Sequence, residues 1–185
     1  MIQIKMLLEE MKGSGGVLSF GVHEGIEFLG LERDFTGEFA DLKFGNMEGT
    51  IHKRLFKPSG KFLREGETVD SAVKREEREN LNHVARMLQI CLGDKADEVQ
   101  AETYDACIET ASLLLSPFKG TKVNLRVSPK PGKTAGVLYA DLGNYPMSYV
   151  EIHTPGKPST LKLSKAHQEL LVEKKEDGAD LGDLV

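Results

Sequence analysis

The chain has 185 residues and a formal net charge of −5, with 39% hydrophobic and 29% charged residues, the composition of a single globular domain. No apolar run approaches the ~18 residues of a membrane span, and the N-terminus lacks the charged-then-apolar pattern of a secretion signal, so a cytoplasmic protein without a membrane partner is expected. Cys91 and Cys107 lie in apolar helical patterns with no companions at zinc spacing, which predicts two reduced thiols and no metal site.

The charge is unevenly spread. From Lys43 to Arg64 six Lys/Arg face one acid, Glu48, and from Lys119 to Lys133 five Lys/Arg have no acid among them. Asp94 to Glu109 holds six acids against Lys95. A dipolar chain of this kind can attract a polyanion locally despite its net charge.

In chain order, Ile4, Leu7, Leu8 and Met11 follow the i, i+3, i+4, i+7 rule and predict a short helix over 2–12, broken by Gly13 to Gly16. Val17 to Arg33 reads as one long strand or a bent pair, with Gly21, Gly25 and Gly30 as bulge or bend positions. Gly37 to Phe62 reads as a hairpin turning at 45–49. On its first strand Ala40, Leu42 and Phe44 share one face, and Phe39, Asp41 and Lys43 the other. On its second, Ile51, Lys53 and Leu55 oppose Thr50, His52, Arg54 and Phe56, before Pro58 ends the pairing. Rings interleaved with cations suit a single-strand nucleic-acid surface, where rings stack on bases and cations follow phosphates. The same pattern also fits an ordinary solvated sheet face.

Beyond Phe62, Thr68 or Asp70 is expected to cap a helix that buries Leu81, Val84, Ala85, Leu88 and Leu92 and stops at Gly93. A second helix is expected from Asp94 or Asp97 to Leu115, with Val99, Thr103, Cys107, Thr110, Ala111 and Leu114 inward. Together these make an antiparallel helical hairpin over 69–115. Strand character returns at 121–127, with Val123, Leu125 and Val127 inward and Lys122, Asn124 and Arg126 outward. It recurs at 136–142, where Tyr139 points out. Residues 143–160 read as loop-rich, and a short helix is expected over 164–174. Residues 1–172 are thus read as one domain, and 173–185 as a flexible acidic tail too poor in apolar residues to fold on itself.

Three strands, helices and two more strands are the element order of an OB-fold, a five-stranded Greek-key barrel. The expected fold class is accordingly mostly β with a helical insertion: an OB-like barrel with a helical hairpin between strands 3 and 4.

Four segments carry a family resemblance: SFGVHEGIEFLGLE (19–32), HKRLFKP (52–58), FKGTKVNLRV (118–127) and the acidic end with apolar residues (177–185). With these the chain resembles the single-stranded DNA-binding proteins encoded by bacteriophages, in the divergent branch where helices interrupt an OB barrel. The resemblance implies a protein that coats and protects single strands during phage replication or recombination, in the host cytoplasm. It places Phe39, Lys43, His52, Arg54, Phe56, Lys57, Lys122, Asn124, Arg126 and Tyr139 on the DNA face. It also implies that the tail residues Asp180, Asp183, Leu184 and Val185 recruit replication or recombination proteins, or occupy the groove when no DNA is bound.

Enzymatic chemistry finds no support in the motifs. The five histidines show no HExxH or paired metal spacing, and the Gly-Lys-Thr at 132–134 lacks the upstream glycine of a phosphate loop, Val127 standing there. No catalytic residues and no cofactor are expected. Two other readings stay open: a phage structural or assembly protein that oligomerises through the helical hairpin, and a single-stranded RNA binder, since stacking and cations do not distinguish the sugars.

Overall fold

The computed structural model describes residues 16–134, 136–143 and 149–176. The expected helix over 2–12 and the tail residues Asp180, Asp183, Leu184 and Val185 lie outside the described residues.

Alternation of apolar and polar side chains builds the central strands. β2 (Gly21–Arg33), β3 (Phe39–Gly45) and β4 (Gly49–Phe56) form an antiparallel meander, with Phe39 opposite Phe56 and Asp41 opposite Arg54. The two-residue β1 (Gly16–Val17) runs parallel to the start of β4. β5 (Lys122–Pro131) pairs with the other edge of β2. The return strands both pair with β5: β6 (Leu138–Asp141) along its second half and β7 (Val150–Ile152) along its first. The result is a seven-stranded mixed sheet in the order β1-β4-β3-β2-β5-β6, with β7 beside β5.

The described strands therefore form an open α+β sheet rather than the closed five-stranded barrel expected from element order. Closure would need a late strand to reach β4. Here β6 and β7 are both spent on β5, and β1 pairs only with Gly49 and Thr50 at the start of the free edge of β4.

Helices cover the inner face of the meander. In α1 (Val69–Leu92), Thr68 is the cap: its hydroxyl accepts from Ser71 N at 3.2 Å, and Ser71 Oγ accepts from Thr68 N at 3.0 Å. The buried stripe is Ala72, His83, Val84, Met87 and Leu88, while Ala85 is exposed and Leu81 and Leu92 are only partly buried. The helix is rolled by about one position from the expected stripe, which brings His83 against the ring of Tyr149 at 5.4 Å. Residues 93–98 form a 3-10 turn, and α2 starts at Tyr104, not Asp94 or Asp97, capped by Thr103 Oγ1 from Ala106 N at 3.2 Å. It buries Ile108, Ala111 and Leu115, so the hairpin exists with its second helix shorter and turned. These residues close over Phe28, Leu42, Phe44, Leu55, Val123 and Leu125 to make the core. The last described helix, α3 (Lys165–Glu176), packs against β5.

Candidate nucleic-acid interface

With Ala40, Leu42, Phe44, Ile51 and Leu55 buried under the helices, period-2 alternation sends Phe39, Asp41, Lys43, His52, Arg54 and Phe56 to the opposite face. Three cross-strand pairs stand in a row there: Phe39 with Phe56, Asp41 with Arg54, and Lys43 with His52. Arg54 is held by both oxygens of Asp41, through Nε and Nη2 at 3.0 Å each. This two-point bond holds the guanidinium carbon over the Phe39 ring, 3.9 Å from its centroid. Phe39 in turn meets Phe56 edge-on, with centroids 6.1 Å apart, and Phe56 remains 63% exposed. The array presents the Phe56 ring and the partly exposed Arg54 guanidinium to solvent, and both are groups on which a nucleobase can stack.

A second feature arises from Gly30. Its φ of +130 and missing side chain let Lys119 lie across β2, where a Cβ would meet Lys119 Cε at 2.7 Å. Lys119 approaches Glu32 at 3.7 Å, and Lys43 also bonds to Glu32. The Lys43 hydrogen bond, opposed by partial burial, holds the Glu32 carboxyl below its usual range. Lys122 pairs with Glu27 at 2.7 Å on the border of this face. The cations of the face are thus interleaved with carboxylates. A polyanion binding there competes with Glu27, Glu32 and Asp41 for them.

The remaining expected site residues lie elsewhere. Lys57 turns to the helix side, where Asp105 of α2 bridges it at 2.5 Å and Arg33 at 2.8 Å. Asn124 and Arg126 were expected to point outward; they do leave the apolar core face, but they are only 2% and 6% exposed. β7 and the segment after it cover them. Asn124 Nδ2 donates to Glu151 at 3.0 Å and its Oδ1 pairs with His153 at 2.8 Å, while Arg126 Nη1 donates to the carbonyl of Lys162 at 3.3 Å. Tyr139 is 57% exposed but stands on β6, where its ring packs against Gly132. Lys119, Glu32 and the structural role of Asp41 were not singled out as site residues, although a glycine within a strand does signal a close approach of this kind.

The inner side of the sheet holds a polar cluster. Lys53 donates to the carbonyl of Gly143 at 2.5 Å and lies 3.9 Å from Asp141. His83 and Tyr149 are buried beside it. Burial, reinforced by Lys53 and opposed by Asp141, pushes His83 down to about 4, and burial also drives the Tyr149 hydroxyl upward. Among the described residues no group of three His, Cys, Asp or Glu could hold a metal ion, and no helix is long and apolar enough to cross a membrane. Comparison of the chain with protein-family models, curated proteins and solved structures finds no match.

Proposed function

We propose that the protein binds single-stranded DNA, coating and protecting unpaired strands during replication or recombination, with the outer face of β2, β3 and β4 as its contact surface. The observation that carries this reading is the Asp41–Arg54–Phe39–Phe56 array, in which one buried carboxylate holds a cation over the Phe39 ring and the neighbouring Phe56 ring stands exposed. Stacking on such a face needs bases freed from a duplex, and it tolerates any sequence because every base has a π-face. Lys43, His52 and Lys119 flank the array where a backbone would run.

The reading takes the sheet as an unclosed, divergent relative of the OB fold. In its favour are the β2-β3-β4 meander, β5 beside β2 and helices inserted between β4 and β5. It also keeps the bacteriophage type of single-strand binder as its model, with the acidic tail as a docking segment for replication or recombination proteins.

A gel shift with oligo-dT, oligo-U and duplex DNA at two salt concentrations tests the proposal. Tighter binding of oligo-dT than of duplex supports it. Equal affinity for the two rules out stacking as the basis of binding, and a clear preference for oligo-U reassigns the surface to RNA.

A further inference from the structure

The loop joining β4 to α1 (57–68) holds two strongly exposed apolar side chains, Phe62 at 78% and Leu63 at 53%, on a backbone that is tightly clamped. The Glu76 carboxylate accepts from Ser59 N at 2.9 Å and from Gly60 N at 3.2 Å. Arg75 donates to the carbonyl of Phe62 at 2.8 Å and through Nε to Glu67 at 2.9 Å, and Glu67 accepts in turn from Arg64 N at 3.0 Å. Gly60 makes the turn at φ +64, where a Cβ would lie 2.9 Å from the carbonyl oxygen of Val69. Asn80 of the same helix donates to the carbonyl of Phe56 at 2.7 Å, tying the loop's support to the end of β4.

A connection that only had to span from strand to helix would carry polar side chains on a mobile backbone. Ordering a loop costs conformational entropy, and exposing a phenyl ring forgoes its burial. A clamped loop that shows a ring to solvent is instead preorganised for contact. Lys61 beside it differs from the cations of the sheet face. Lys43, Arg54, Lys119 and Lys122 each face a carboxylate, whereas Lys61 has no acidic partner among the described residues.

We propose that this loop is a second contact for the same single strand, with Phe62 stacking on a base and Lys61 meeting a phosphate, so that the strand leaves the sheet over Phe56 and continues along the loop. The inference rests on the reading of the outer face as a single-strand surface. Phe56 and Phe62 are six residues apart in sequence, hence no more than ~20 Å apart in space. That separation is within the footprint of a single-strand binder, ~4–16 nucleotides per fold.

Fluorescence anisotropy with oligo-dT of about 4 and about 16 nucleotides, spanning that range, tests it. Phe62→Ala and Lys61→Ala should each weaken the long oligonucleotide, Phe62→Ala by about fivefold or more, while leaving the short one unchanged. Phe56→Ala should weaken both, and Phe62→Tyr should restore the long one. Melting temperatures of the Phe62 variants should match the parent, since the ring is exposed. If Phe62→Ala binds both lengths like the parent while Phe56→Ala weakens both, the loop is a connector only and the outer face keeps its role. If Phe56→Ala changes neither length, the outer-face reading fails and this inference falls with it.

Discussion

Arg54 lies 3.9 Å over the ring of Phe39 and is kept there by a carboxylate on the same strand as that ring, Asp41. Charge and stacking surface are therefore presented by one side chain. Arg54→Lys retains the charge but has no planar fork to bond twice or to stack. Its single-strand affinity should fall while the dependence of log K on log salt stays parallel to that of the parent. Arg54→Ala should lower affinity and also make that slope shallower by up to about 0.7. Titrations of both variants at several salt concentrations check this, and parent-like affinity for Arg54→Lys would remove stacking from the account.

Salt dependence should be modest for so basic a stretch. Glu32 and Asp41 already neutralise much of the charge on Lys43, Lys119 and Arg54. A strand that meets two or three phosphates there should show a slope of roughly −2, at about −0.7 per phosphate for single strands. Glu32→Gln frees two lysines from their shared acid and should tighten binding most at low salt, where screening is least. An unchanged affinity would place the strand away from β2.

Acid should loosen the protein through His83, which is 5% exposed and faces Tyr149, Lys53 and Asp141. Its folded pKa, about 4, lies below the ordinary 6.5, so the neutral ring is favoured in the folded state. Stability from this group is complete above 6.5 and is lost as pH falls toward 4, by an amount on the order of 3 kcal/mol. Chemical denaturation across this range should show the decline, and His83→Phe should flatten it. The same slope in parent and variant would assign the acid sensitivity to other groups.

Glu151 should control the segment that covers β5. Burial opposes its ionisation, but hydrogen bonds from Asn124, Thr160 and Ser159 outweigh it and bring the carboxyl down to about 2. This depressed pKa makes a contribution that is present above the ordinary 4.5 and lost as pH falls toward 2. Glu151→Ala should lower the melting temperature and speed amide exchange over 157–163, while oligo-dT affinity changes little because that segment meets the sheet at Glu24 of β2 and at β5, away from Phe39, Arg54 and Phe56. A loss of affinity as large as that of Phe56→Ala would show that the covered part of β5 belongs to the binding surface.

Local pattern alone determined the two faces of the β3–β4 hairpin, because successive strand side chains alternate whatever the rest of the chain does. The Gly93 stop of α1 was equally legible and its cap was narrowed to Thr68 or Asp70, of which the fold uses Thr68, since caps are satisfied by neighbours in sequence. Alternation also set Asn124 and Arg126 off the core face, but it carries no information on what covers that face, and Glu151 of β7 together with the segment beyond it does so. Lys57 was drawn to the helix side by Asp105, 48 residues away in sequence. The roll of α1 and α2 came from packing against the sheet, and the sheet stayed open because β6 and β7 found their partner in β5. These last features depend on pairings between distant residues, which only the tertiary structure decides.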